Sequence, residues 1–437
     1  MKITRLEVVG LFGLYDYTID FARHGEDMTV LTSPNGYGKT TLLRIINSLN
    51  VCRLYFLYLL KFKSLHICFD NGSELLTEEP EEVQNKEKDS DKRKDAREGL
   101  SLIWKYNEKE SCRFEYHSDI LQQAKYTALR RVTTQRHYGG VEFSEESDEY
   151  FTRGEAGEAL NNEIAQMQGQ EMFLLQLAAV QTDFIGANRI YSMRRRERPI
   201  RMRFELPILQ VVYELRERLS SEVNEFQNNF QRLDSKFIDM LLADSGCDIS
   251  EENYNQRAAK ISARIEELVS FGLTNRQKLP AYNMKNSKVL DVYLDLMEEK
   301  LQYYKELLPL VQLFNKNIQQ KHFANKTIKL SPQHGLRIES DNGDILDADT
   351  LSTGEQNQIV LLYDLIFKTP KGSILLIDEP ESSLHVAWQN DFVNDMQSIA
   401  DSKKLQIVVA SHSPIIVSNT PDNQVFDLYY LQSDNNA

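Results

Sequence analysis

Ser33-Pro34-Asn35-Gly36-Tyr37-Gly38-Lys39-Thr40-Thr41 follows the apolar run Met28 to Leu31 and precedes Leu42 to Leu49, whose apolar residues are spaced as in a helix. Strand, tight loop and helix in that order turn several backbone N–H groups and the positive end of the helix toward one point. Lys39 adds a charge there and Thr40 a hydroxyl, as a phosphate chain and its Mg²⁺ require. The stretch reads as a P-loop, with Ser33, Asn35, Gly36, Gly38, Lys39, Thr40 and Thr41 as candidate phosphate contacts. It departs from G-x-x-x-x-G-K-[ST] once. Ser33 stands where the first Gly is expected, so the opening turn must be made without glycine's freedom in φ.

Near the other end, Ile374-Leu375-Leu376-Ile377-Asp378-Glu379-Pro380 is a short apolar run closed by two acids. That pattern suits a buried parallel strand whose carboxyl end meets a ligand crevice. Asp378 is expected to hold the Mg²⁺ through water, and Glu379 to orient and polarise the attacking water. Because the halves of one site lie near opposite ends of 437 residues, the segment between them reads as an insertion.

The chain is 41% hydrophobic and 27% charged, an ordinary globular composition, with a net charge of −14. That balance disfavours a surface basic all over that coats nucleic acid, and confines any such contact to a local patch. Cys52, Cys68, Cys112 and Cys247 match no metal-ligand or redox spacing and read as free buried thiols in a reducing cytoplasm. The start MKITRLEVVG has no signal-peptide pattern, and the most apolar window, Val51 to Phe62, contains Arg53 and Lys61 and is too short to span a bilayer. The expectation is a cytoplasmic protein with no membrane contact.

Lys2 to Val9 and Tyr15 to Phe21 alternate as strands, and Leu42 to Phe62 reads as continuing helix before a strand at Leu65 to Phe69. Residues 78–98 are almost wholly polar, a solvated hairpin tip or disordered loop, with Leu100 to Tyr106 and Cys112 to Tyr116 as a strand pair closing it. Thr127 to Gly157 gives mixed signals. Ala159 to Val180 reads as a helix leading to Gln181, which a strand end would bring to the metal, with Asn188 and Arg189 as rivals. Arg189, Arg194, Arg195, Arg196, Arg198, Arg201 and Arg203 then concentrate seven guanidiniums in fifteen residues. They suit a solvated loop, a phosphate backbone or an acidic protein partner. From Leu206 the period becomes helical through Phe323, without the long heptads of an extended coiled-coil arm, and strands return at Lys326 to Leu330, Gly335 to Glu339 and Lys404 to Val409.

The ordered set of P-loop, Gln181, Leu351-Ser352-Thr353-Gly354-Glu355-Gln356, Asp378-Glu379, Glu381 to His385 and His412 resembles the ATP-binding-cassette (ABC) ATPases of the SMC/RecF branch. The resemblance implies an α/β ABC-ATPase head, a mixed sheet with a P-loop and antiparallel N-terminal strands, carrying an inserted α-helical lobe. It places residues 1–190 and 326–437 in the head and 191–325 in the lobe. It further implies ATP and Mg²⁺ as cofactors and a homodimer with composite sites, in which Ser352, Gly354 and Glu355 of one copy meet the nucleotide on the other's P-loop. Lys39, Glu379 and His412 would be catalytic, His412 sensing the γ-phosphate; Thr40, Asp378 and Gln181 would serve the metal, and Glu381 to His385 would lie at the dimer seam. Departures at Ser33 and Thr353 point to slow hydrolysis. GLFGLYDY, FIGANRIY, DEPESSLHVAWQ and ASHSP resemble more closely the stand-alone ATPases of bacterial antiphage systems, AriA of PARIS and, less closely, PtuA of Septu. Related OLD proteins carry a TOPRIM nuclease after the ATPase, and this chain ends soon after His412, so the nuclease is expected on a separate polypeptide. A higher homo-oligomer that restrains a toxic nuclease until an acidic, DNA-mimicking phage protein arrives is the implied arrangement. A DNA-repair or chromosome-maintenance ATPase that clamps a duplex is its rival.

Overall fold

The computed structural model describes residues 1–22, 27–78, 99–135, 154–186, 206–242, 246–321, 323, 325–384 and 386–435. Residues 79–98 of the charged excursion, the Arg189 to Arg203 segment and His385 lie outside the described residues. The strands in chain order are β1 (Ile3–Leu11), β2 (Tyr15–Asp20), β3 (Met28–Thr32), β4 (Ser64–Phe69), β5 (Ser73–Glu78), β6 (Gly99–Tyr106), β7 (Lys109–His117), β8 (Thr182–Ile185), β9 (Lys326–Ser331), β10 (Gly335–Ser340), β11 (Ile345–Leu346), β12 (Ile374–Asp378), β13 (Gln406–Ala410) and β14 (Val425–Asp427). Two units result, one built from the described residues up to 186 and from 369 onward, the other from 206 to 368. The fold is mixed α/β, with an antiparallel N-terminal sheet, a parallel sheet and a helical lobe.

In the first unit, β2-β1-β4-β5-β6-β7 form an antiparallel sheet and β14-β3-β13-β12-β8 a parallel one. Alternation in β1 and β4 sends Leu6, Val8, Leu65 and Ile67 into a core shared with Leu42, Ile45 and Ile46 of helix α1 (Lys39–Asn47). By contrast, β12 and β13 are buried at every residue, which is why they read as unbroken apolar runs.

Two expected helices are each broken by local chemistry. Between Leu42 and Phe62, the Asn50 side chain accepts the Cys52 N–H, opening a 3₁₀ turn at Val51–Arg53 before a second helix at Tyr55–Leu59. Between Ala159 and Val180, the helix Gly154–Gln168 stops at Gly169 with φ +67, and another, Glu171–Ala178, follows. The helix Ser118–Gln135 occupies part of the stretch whose sequence signals were mixed.

The second unit carries the helices Pro207–Leu242, Glu251–Ser270, Ser287–Gln302 and Leu307–Gln320, with a small sheet β11-β10-β9. Tyr254, Ile261 and Ile265 pack on Leu290, Leu294 and Met297. Gly335, at φ +71, has no room for a Cβ, which would lie 2.1 Å from the Val212 carbonyl oxygen. Among the described residues no helix is long and apolar enough to cross a membrane. The four cysteines are free, but only partly as expected in burial: Cys52, Cys68 and Cys112 are half-buried and Cys247 is exposed.

One polar chain crosses the first unit's core. The Tyr116 hydroxyl donates to Asn161 Oδ1 at 2.5 Å, and the Asn161 amide donates to the Val51 carbonyl at 2.7 Å. Asn161→Ala leaves both groups unpartnered and is expected to cost about 1–3 kcal/mol. Adding Tyr116→Phe to that variant should recover part of the loss, read by chemical denaturation as a positive coupling in the double-mutant cycle.

Candidate nucleotide site

The parallel register assembles the site. Leu31 of β3 pairs with Ala410 of β13, and Ala410 with Asp378 of β12, so the three strands end within one residue of one row. Beyond that row come the P-loop, the Ser411-His412 turn and Glu379, in the crevice where open α/β sheets hold ligands. The loop turns at Gly36 and Gly38, with φ +92 and +86, whereas Ser33 is not among the residues of positive φ. The missing first glycine therefore causes no backbone strain. Gly38 is doubly constrained, because a Cβ there would also come within 3.3 Å of Leu11 Cδ2. Tyr17 donates its hydroxyl to the Tyr37 carbonyl at 2.7 Å, and the Tyr37 ring lies between Tyr15 and Tyr429 at centroid distances of 5.7 Å. This aromatic brace on the loop was not read from the sequence; Tyr15 and Tyr17 recurring on one face of β2 is the signal that was there.

Thr40 Oγ1 donates to Asp378 Oδ1 at 3.0 Å, joining residues at the two ends of the sequence. Lys39 is buried, and its ammonium donates to the Ser33 carbonyl at 2.7 Å and the Pro34 carbonyl at 3.3 Å. Burial pushes the Lys39 ammonium below its ordinary range, against the pull of Glu379, Glu381 and Asp378. Burial likewise raises the Asp378 carboxyl, with Glu379 adding to the rise and the Thr40 hydroxyl opposing it. A hydroxyl beside a carboxylate that is costly to ionise alone is a hard-oxygen donor set that fits Mg²⁺. Asn35 and Gly36 are exposed at the loop tip, and Thr41 is half-buried in the first turn of α1.

Glu379, half-buried, has φ 46 and ψ 59, a left-handed conformation unusual for a residue other than glycine and adverse before Pro380. Its N–H donates to the Ala410 carbonyl at 2.9 Å, which ties the turn to β13. The Glu381 side chain is only 7% exposed and is turned into its own chain. It accepts from Ser411 Oγ at 3.0 Å and from the His412 N–H at 2.7 Å, and lies 3.0 Å from His412 Nδ1. Ser413 then donates to Gln389 at 2.7 Å, so DEPESSLHVAWQ and ASHSP are two sides of one polar network that aims a half-exposed His412 outward.

Gln181 is corrected by the register. Its carbonyl accepts from the Ile374 N–H at 2.8 Å, and Thr182 pairs with Ile374 while Ile185 pairs with Ile377. Gln181 thus sits at the amino end of β8, roughly 17 Å along the strand direction from Asp378 at 3.3 Å per residue. The carboxyl end of that strand leads to Gly186, and the rivals Asn188 and Arg189 are outside the described residues.

In the second unit, Ser352 caps the helix Thr353–Tyr363. Its hydroxyl accepts the Glu355 N–H at 3.3 Å, and its N–H donates to Glu355 Oε2 at 2.8 Å, a complete capping box. The Glu355 carboxylate also pairs with Lys326 at 3.0 Å. Burial opposes its charge, but the Ser352 N–H and Lys326 together hold it below the usual carboxylate range. Glu355, expected on nucleotide, has its carboxylate turned inward where it fixes the cap, while Ser352 stays exposed and Gly354 half-exposed.

The raised Asp378 carboxyl has a stability consequence. The folded chain binds that proton more tightly than the unfolded chain, so stability falls as pH climbs from the ordinary value of 3.8 through the raised one. Asp378→Asn is therefore expected to raise the thermal midpoint of the nucleotide-free protein at neutral pH, by roughly 1–2 °C for each kcal/mol recovered, and by less at mildly acidic pH. Calorimetry at the two pH values checks both.

Solved structures similar to the chain include SMC head domains. One with an extended coiled coil, bound to the C-terminal domain of ScpA and derived from Pyrococcus furiosus, is 14% identical with TM-score 0.36, covering 96% of this chain and 91% of that one. The SMC head domain from Thermotoga maritima is 11% identical with TM-score 0.31, covering 96% and 92%. No curated protein matches the chain. Residues 1–417 match the AAA ATPase domain, and the chain, with its P-loop lysine, threonine and distal aspartate joined at one crevice, belongs to that family of ATPases.

Proposed function

We propose that the chain binds and slowly hydrolyses ATP with Mg²⁺ in sites shared by two copies, and that this switch gates a separate nuclease in antiphage defence. The observation that carries the ATPase reading is the Thr40–Asp378 contact at 3.0 Å, flanked by Lys39 and Glu379. Lys39 neutralises β- and γ-phosphate oxygens after leaving the Ser33 and Pro34 carbonyls, and Gly36, Gly38 and Thr41 supply loop and helix N–H groups. Thr40 and Asp378 hold the Mg²⁺, which when bound adds positive charge at the phosphate oxygens. Glu379 accepts the proton of the attacking water, and its strained backbone fixes where its carboxylate points. His412, oriented by Glu381, donates toward the γ-phosphate.

Ser352 and Gly354 cap the γ-phosphate of the other copy, an assignment supported by the exposed capped helix start that carries them. A two-fold arrangement makes both sites equivalent, and a higher homo-oligomer would build on that dimer. The defence role is supported by the likeness of GLFGLYDY, DEPESSLHVAWQ and ASHSP to stand-alone antiphage ATPases. In that reading a TOPRIM-type nuclease is the effector and an acidic, DNA-mimicking phage protein the trigger. The seven arginines between Arg189 and Arg203 favour a second reading, a duplex-clamping ATPase. Salt-dependent duplex binding that Arg-to-Glu changes abolish would select it.

Lys39→Ala should eliminate nucleotide use, and Glu379→Gln should bind ATP, stay uncleaved and accumulate as a dimer on gel filtration. Lys39→Ala mixed with Ser352→Arg tests the shared site. Each is inactive alone, whereas the mixture should regain about a quarter of native turnover, because half the dimers are mixed and each of those has one intact site. Mixtures as inactive as their components overturn the shared site. Phage challenge of cells carrying the gene with its neighbours, native or Lys39→Ala, tests the defence role; equal protection overturns it.

A further inference from the structure

The antiparallel sheet buries Leu6, Val8, Leu65, Ile67 and Leu75 on one face, so alternation sends Glu7, His66, Cys68 and Glu74 to the other. Register brings these four together. Glu7 of β1 pairs with His66 of β4, and Cys68 of β4 pairs with Glu74 of β5. His66 Nε2 lies 3.2 Å from Glu74 Oε2 and 3.3 Å from Cys68 Sγ, and the three donor atoms all lie within 4.8 Å of one another. A tetrahedral ion with bonds of about 2.0–2.3 Å sets its ligand atoms roughly 3.3–3.8 Å apart. Two of the three edges are thus already at ligating separation. On the far side of the imidazole, Glu7 Oε2 lies 3.6 Å from His66 Nδ1, and Arg5 pairs with the other oxygen of that carboxylate. At 3.6 Å this carboxylate makes no hydrogen bond to the imidazole, but it stands where a small approach would let it fix the tautomer of a metal-bound histidine.

We propose that His66, Cys68 and Glu74 form a Zn²⁺ site, with Glu7 orienting His66 and water in the fourth position. A thiolate, an imidazole and a carboxylate suit Zn²⁺ and do not suit the hard ions Mg²⁺ or Ca²⁺. The side chains of His66, Glu74 and Glu7 are 28–33% exposed, which shelters an ion while leaving it one open side. None of these residues belongs to the P-loop or to the Asp378 turn. The ion would clip β4 to β5, and its binding to the folded state alone would stabilise the sheet.

The test uses the full-length chain, stripped with chelator and titrated with Zn²⁺ against a chromophoric chelator, then with Co²⁺ followed by absorbance. One ion per chain and a thiolate-to-cobalt charge-transfer band are expected. Cys68→Ser and His66→Ala should each abolish both while ATP binding persists, and Glu7→Gln should weaken Zn²⁺ by about 10–100-fold. All three substitutions fall on the partly exposed face, and Glu7→Gln keeps the shape of the native side chain. A native chain that gives no charge-transfer band, a band that survives Cys68→Ser, or an unchanged affinity in Glu7→Gln and His66→Ala overturns the proposal.

Discussion

The alignment of three parallel strand ends is the constraint on which the nucleotide site depends. Because Leu31, Ala410 and Asp378 lie in one row at or one residue before their strand ends, the loop after β3, the turn after β13 and Glu379 after β12 project into the same crevice. The Thr40–Asp378 contact follows from that row and ties the start of α1 to a strand encoded near the other end of the chain. The second unit lies between these two halves in sequence, so no neighbouring part of the chain can substitute for the register. Unbroken burial of β12 and β13 marks no register by itself, because a slip would exchange one apolar residue for another; Asp378, the one acid of β12, stands at its end.

Polar groups around the crevice are spent on holding one another. Glu381 binds both the Ser411 hydroxyl and the His412 N–H, so the turn that carries His412 is fixed from below by a buried carboxylate. Gln389 extends this grip to Ser413 and, through its amide, to the Leu384 carbonyl. The Glu379 backbone sits in a left-handed well that only surrounding contacts sustain. The result is a preorganised frame in which His412 retains an exposed face.

Much of this was legible because the decisive signals are local. The P-loop carries its own glycines, lysine and hydroxyl in sequence, and strands β1, β2, β9 and β10 announce themselves by alternation. What failed was long-range pairing. The four residues of β8 do not mark which end meets the crevice, so Gln181 was placed at the wrong one. Nothing adjacent to Glu381 says that its partners come from a turn thirty residues on, and the His66, Cys68 and Glu74 cluster arises from cross-strand register, which cysteine spacing cannot reveal. Glu355 is a different case. Ser352-x-x-Glu355 has the pattern of a capping box, and the carboxylate expected on nucleotide closes that box instead.

The Lys39 ammonium donates to carbonyls of its own loop, Ser33 foremost. A nucleotide must therefore outcompete an intramolecular clasp, because no idle cation awaits it. Affinity becomes the difference between two well-bonded arrangements, and that difference grows with the number of oxygens an incoming chain can present. A chain that offers the ammonium fewer oxygens than the clasp already does gains less by displacing it.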